Sequence, residues 1–195
     1  GLEAGLDEQR DRITELCREQ GAREVRFAAN QAERQKLWKC RKQAFGAIGR
    51  LSPSYCTQDG VVPRTKLPEI LQTITDISQR HNVAIVNVFH AGDGNLHPIL
   101  LFDERNPDEV KRVLEASEEI LDACLAVGGS VTGEHGIGVE KISYMNKLFS
   151  ESDLEVMERL RSALNPHGRL SPGKMLPTAG ACGMEQVHPG RRAAL

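Results

Sequence analysis

Val83 to Phe102 read VAIVNVFHAGDGNLHPILLF, two runs rich in β-branched and aromatic residues on either side of Ala91-Gly92-Asp93-Gly94. A Gly-rich four-residue connection between such runs is a hairpin signal. With His90 and Asn95 closing the turn, Val88 faces His97 across the ladder. His90 and His97 then become diagonal neighbours on one face, roughly 7–8 Å apart at Cα. From that spacing two imidazoles can converge on one ion with N–metal bonds of about 2.0–2.1 Å. Asn95 shares the face.

Outward from the hairpin, the patterning is helical. On its N-terminal side Pro68 sits in a first helical turn, and Ile70, Leu71, Ile74 and Ile77 give a helix closing near His81. On its C-terminal side Asn106-Pro107-Asp108 caps a helix running through Val110, Val113, Leu114, Ile120, Leu121 and Leu125 to Gly128-Gly129. Ser52-Pro53-Ser54 is a turn, and Tyr55 to Val62 reads as extended. Near the start, Asp7 to Gln20 forms an amphipathic helix stopped by Gly21. Arg23 to Ala28 is a strand candidate, and Asn30 caps a helix ending near Gly46 to Gly49. The lone tryptophan, Trp38, reads as a core anchor. Val139 to Phe149 is expected to be helical, and Ser150 or Ser152 caps a helix through Leu164, stopped by Pro166-His167-Gly168. Helices between short strands and one antiparallel hairpin define an α+β fold, an antiparallel β-sheet with helices packed on one face.

The long helix after the hairpin leads into Val131-Thr132-Gly133-Glu134-His135-Gly136, a carboxylate beside a third histidine. Two His and one carboxylate with an open position make a catalytic rather than a structural metal site, leaving one histidine free as a base. Glu134 can equally be a helix-start carboxylate favoured by exposed N–H groups. His81, His167 and His188 read as solvated or core-satisfied side chains. The glycines around these motifs form no P-loop or GxGxxG pattern.

Composition narrows the class. With 195 residues, 39% hydrophobic and 27% charged, the chain can bury one substantial core, with or without an appended arm. A net charge of -2 with dispersed basic residues argues against nucleic-acid binding. Five cysteines without CxxC spacing point to a reducing compartment, and no apolar run reaches the roughly 18 residues of a membrane span. The expected location is cytoplasmic. Gly1-Leu2-Glu3-Ala4-Gly5 reads as a cut through a larger polypeptide, and the Gly-, Ala- and Pro-rich stretch 178–195 as a poorly ordered tail.

Three motifs in order, FHAGDGNLHP, GGSVTGEHGIG and PHGRLSPGKMLP, resemble the C-terminal domain of FAD-linked 2-hydroxyacid oxidases and dehydrogenases of the vanillyl-alcohol oxidase type. The stretches LWKCRKQAFGAIGRLSP and DGVVPR are similar to the glycolate oxidase branch. The resemblance covers residues 1–177 and implies a ferredoxin-like substrate and cap domain, with an N-terminal FAD-binding domain lying outside this chain. It implies that His90, His97 and Glu134 ligate a divalent metal, zinc or manganese, and that His135 is the general base. Arg41 would pair with the substrate carboxylate and Asn95 would orient the site. Ser171 and Lys174 would contact FAD, Ser171 standing where the family pattern has Asn before Pro-Gly-Lys. A lysine found in the 2-hydroxyglutarate branch is replaced near Thr57. The implied reaction is oxidation of a small 2-hydroxy acid by hydride transfer to FAD. Iron-sulfur and second flavoprotein subunits are implied partners, with peripheral attachment to the inner membrane through them. An assembly module docking on such a partner, and a metal-dependent hydrolase using the same ligands, are the alternatives.

Overall fold

The computed structural model describes residues 5–177, and the chain divides into two compact units between Ala47 and Ile48. The expectation of a poorly ordered tail at 178–195 lies outside the described residues, as does His188.

The first unit is two helices. Helix α1 spans Leu6–Glu19, with Asp7 and Glu8 in its first turn and Arg18 in its last, matching the helix dipole. It stops at Gly21, whose φ of 84° accommodates the left-handed turn. Helix α2 spans Gln31–Ile48, and Asn30 Oδ1 accepts from the Glu33 amide at 3.0 Å, the expected cap. Residues 23–28 form no strand, because the described residues of this unit offer no second strand for them to pair with; Arg26 instead pairs locally with Glu24. Trp38 is not a core anchor either. It is 54% exposed, since the two helices of this unit bury none of their residues up to Ala47 and so form no core of their own around it.

The second unit carries the sheet: β1 (Ser54–Thr57), β2 (Gly60–Val61), β3 (Ala84–His90) and β4 (Asn95–Phe102). Strand β4 is central, antiparallel to β3 on one side and to β1 and β2 on the other. The expected hairpin forms in the expected register, Val88 opposite His97 and His90 opposite Asn95. The pairs Thr57↔Ile99 and Gly60↔Leu96 belong to one continuous register, so β1 and β2 are a single strand interrupted at Gln58 and Asp59. Pro98 is the reason. Its carbonyl accepts from the Gln58 amide at 2.9 Å, but with no N–H it can donate nothing back.

Helices α3 (Leu67–His81) and α4 (Pro107–Ala126) lie on one face of this sheet. Asn106 caps α4 through the Asp108 amide, as its sequence requires. Period-2 alternation sends Leu96 and Leu100 of β4 into the core with Ile70, Ile74 and Ile77 of α3 and Val113, Ala116 and Ile120 of α4. Asn95 and His97 therefore point to the opposite face. A strand, helix, hairpin and helix, closed by the one-residue antiparallel bridge Val61↔Ser130, is a ferredoxin-like order with its last strand reduced to a bridge.

Only part of 139–149 is helical: a 3-10 turn at Ile142–Tyr144 leads into the short α5 (Met145–Leu148). Gly136 and Gly138, at φ 80° and 58°, keep the preceding chain as a loop. Helix α6 (Glu151–Leu164) begins with a Ser150 and Asp153 capping box.

Candidate metal centre

The hairpin turn is held by its own backbone, with the Gly94 amide donating to the His90 carbonyl at 3.0 Å. This fixes His90 at the end of β3 and His97 one step inside β4, on the face away from the helices. Their rings lie 5.4 Å apart, edge to face. Val61 pairs with Ser130 beyond the far edge, so the segment after α4 is carried over the same face. Glu134 and His135 arrive there. His135 stacks on His97 at 5.0 Å.

Glu134 Oε1 is the meeting point. It lies 3.0 Å from His97 Nε2, 3.8 Å from His90 Nε2 and 3.8 Å from His135 Nε2. Ligand atoms from His90, His97 and Glu134 all fall within 4.8 Å of one another. Two donors sharing a tetrahedral ion at 2.0–2.1 Å stand about 3.3 Å apart, so the two separations from Glu134 Oε1, 3.0 and 3.8 Å, bracket the value a shared divalent cation requires. The donor set of two imidazoles and one carboxylate suits zinc or manganese. His97 is 3% exposed, whereas His90, Glu134 and His135 are open to solvent. One of these donors is thus anchored in the fold, and an approach from outside stays open.

The chain's polar pattern did not single out Asp59, yet Asp59 organises this site. It is 0% exposed, in the interruption that Pro98 makes between β1 and β2. The same register that pairs Thr57 with Ile99 sets it opposite His97. Its Oδ2 accepts from the Thr132 hydroxyl at 2.6 Å and from the amides of Gly133, Glu134 and His135 at 2.9, 3.1 and 2.9 Å. Burial by itself would raise the Asp59 pKa; these four donors overrule it and hold the carboxyl well below its ordinary value. Lys141 supports the arrangement from beneath. Its ammonium donates to the carbonyls of Asp59 at 2.9 Å and Val131 at 2.7 Å. Burial lowers the Lys141 pKa, and the Asp59 charge opposes that shift. Nothing in the sequence marks Asp59 as buried; its burial, rare for an acid unless paired, emerges only from the fold.

Asn95 is buried on the site face, its backbone N–H held by Asp93 Oδ1 at 3.2 Å and its own Oδ1 without a partner. Arg41 is an exposed residue of α2 in the first unit. Ser171 and Lys174 lie in the closing segment after α6, whose carbonyls at Leu170, Ser171 and Lys174 are gathered by the Arg161 guanidinium at 3.1, 2.7 and 2.7 Å. His81 is structural: it bridges α3 to α4 through Glu119 at 2.8 Å.

With this fold and this cluster established, the chain belongs to the FAD-linked oxidases, as their C-terminal domain, whose family model matches residues 2–175. Among individual proteins, it is 43% identical over 193 residues to the glycolate oxidase subunit GlcD of Escherichia coli K12, covering 97% of this chain and 39% of that protein. The GlcD of Bacillus subtilis is 35% identical over 87% of this chain and 36% of its own length. A probable mitochondrial D-lactate dehydrogenase of Danio rerio is 34% identical over 90% of this chain and 36% of its own length. The chain therefore spans well under half of each of these relatives. Among the described residues, no helix is long and apolar enough to cross a membrane.

Proposed function

We propose that this chain is the substrate- and metal-binding part of an FAD-dependent 2-hydroxyacid dehydrogenase of the glycolate or D-lactate type. The supporting observation is the convergence of His90, His97 and Glu134 on one point, with His135 stacked beside them, in a chain of the FAD-linked oxidase family. Glycolate oxidase and D-lactate dehydrogenase are the activities named for its relatives.

Oxidation of a 2-hydroxy acid removes a proton from the hydroxyl and a hydride from C2, leaving a 2-oxo acid. When bound, FAD would supply the hydride acceptor, and a divalent cation would supply polarisation of the hydroxyl. The chain's own residues do the rest. His90, His97 and Glu134 would hold the cation, and His135 takes the hydroxyl proton. Neighbours in sequence, Glu134 and His135 can divide these roles because their side chains leave the backbone in different directions. Arg41 is assigned to the substrate carboxylate from the resemblance of LWKCRK, Asn95 to orientation of the site, and Ser171 and Lys174 to flavin contact. The word subunit in the GlcD name supports a multi-subunit assembly; from the resemblance we assign its further members as iron-sulfur and flavin-bearing redox subunits. We place the protein in the cytoplasm, reaching a membrane only through such partners.

Elemental analysis and a visible spectrum of the intact flavoprotein, wild type and His135→Ala, test this reading. The expected result is one divalent metal per flavin in both, with substrate bleaching the flavin in wild type alone. Loss of metal in His135→Ala would overturn the division of roles. Hydrolase activity without flavin would replace the reading altogether.

A further inference from the structure

Asp59 touches the site from behind, through both carboxylate oxygens. Oδ2 is saturated by the four donors of residues 132–135. Oδ1 is buried without a partner and lies 3.8 Å from His97 Nδ1, which is buried and also without a partner. That separation exceeds a hydrogen bond, but the two atoms face each other across one ladder step, and Nδ1 is turned away from Glu134. On its other side, His97 presents Nε2 to Glu134 at 3.0 Å. An imidazole that ligates through Nε2 must carry its proton on Nδ1, and Asp59 Oδ1 is the acceptor facing it. Carboxylate, histidine and metal in line is the arrangement that fixes tautomer and ring orientation in metal sites.

Asp59 could also be counted as a ligand, since its oxygen, His97 and His135 form a second cluster within 4.8 Å. Burial speaks against that. The carboxylate is sealed beneath the sheet face, while Glu134 and His90 offer donors on the solvent side where substrate arrives.

We propose that Asp59 is the positioning residue of the metal centre. One oxygen anchors the loop that presents Glu134 and His135. The other keeps the His97 proton on Nδ1, so that Nε2 offers its lone pair to the cation. This rests on the metal reading given above and adds to it a residue that never touches the ion.

The test uses the intact flavoprotein, stripped with a chelator and titrated with zinc ion. Asp59→Asn retains an oxygen for the loop amides but can turn an NH2 toward His97, driving the imidazole proton to Nε2. Zinc affinity is expected to fall about 10–100-fold. Thr132→Val removes one of the four donors to Oδ2 and leaves the His97 side of Asp59 intact; its zinc affinity is expected to fall clearly less than that of Asp59→Asn. Zinc binding by Asp59→Asn equal to wild type would overturn the proposal, and so would an equal loss in Thr132→Val, which would reduce Asp59 to loop support. A second measurement needs no variant. In the zinc-loaded wild type, histidine 15N spectra are expected to show His97 protonated at Nδ1, and a metal-bound Nδ1 would overturn the assignment. Wild type and His97→Ala taking up zinc equally would instead bring down the metal reading itself, and this proposal with it.

Discussion

Gly133 lies directly against Asn95. A Cβ built on Gly133 would stand 2.8 Å from Asn95 Oδ1 and 2.6 Å from Val61 Cγ2. Asn95 is buried on the central strand, and the absence of a side chain at 133 lets Glu134 descend onto the sheet without displacing it. Gly133→Ala should push the loop outward. We expect a loss of about 1–3 kcal/mol of stability from overpacking, together with weaker zinc binding. Urea denaturation and zinc titration of the variant check both; unchanged zinc affinity would show that the loop reaches the cluster without this close approach.

Arg161 fixes the closing segment by a different device. Its guanidinium reaches three carbonyls, those of Leu170, Ser171 and Lys174, and Ser171 is kept in a left-handed conformation at φ 42°. The planar fork is what spans them, and a lysine ammonium is a point donor. Arg161→Lys is expected to cost about 1–2 kcal/mol, in the range of hydrogen bonds to a charged group discounted for exposure. The sharper readout is hydrogen exchange at Met175, whose amide donates to the Gly138 carbonyl at 2.8 Å and ties this segment to the loop beyond His135. That amide should exchange faster in the variant, with core amides of α3 unaffected.

Arg41 gives the third prediction, made on the intact flavoprotein. If its guanidinium pairs with the substrate carboxylate through two parallel N–H donors, Arg41→Lys keeps the charge and loses the fork. Losing a charge-assisted hydrogen bond costs about 1.5–3 kcal/mol, so kcat/KM for glycolate or D-lactate should fall about 10–100-fold, mainly through KM. A variant with unchanged KM for both acids would remove Arg41 from substrate binding.

These residues differ in how far the sequence discloses them. The hairpin was legible because turn chemistry and period-2 alternation act between near neighbours: Ala91 to Gly94 set the turn, and the turn sets the register that aligns His90 with His97. Helices α3, α4 and α6 were legible through their apolar stripes and through Pro68, Asn106 and Ser150 at their starts. Asp59 was not, because its role depends on a pairing partner and a loop distant along the chain. In one dimension an acid before a glycine looks like any solvent-facing turn. Trp38 and the 23–28 segment failed for the complementary reason, since patterning states what a residue prefers and not whether a second layer or a neighbouring strand exists to satisfy it. At 139–149 the helical pattern lost to Gly138 and to Lys141, whose ammonium is drawn down to the Asp59 and Val131 carbonyls.

Cys124 supplies a prediction about pH. Its thiol is 1% exposed on the inner face of α4, within 3.0 Å of where a Cβ on Gly60 would stand. Burial pushes its pKa up to about 11, against about 8.5 for a free thiol. The folded state therefore binds the thiol proton more tightly than the unfolded chain does. Its contribution to stability is complete below about pH 8.5 and is lost as pH climbs toward about 11, with a slope of at most about 1.4 kcal/mol per pH unit. Urea midpoints measured from pH 7 to 10.5 should fall more steeply in wild type than in Cys124→Ala, which removes the titrating group at the cost of a small cavity. Labelling with a thiol reagent at pH 8 should follow the same logic. The exposed Cys40 reacts in the native protein, and Cys124 reacts only on unfolding. Parallel pH profiles for wild type and Cys124→Ala, or modification of native Cys124 at the rate of Cys40, would mean that the layer between α4 and the interrupted strand is open to water.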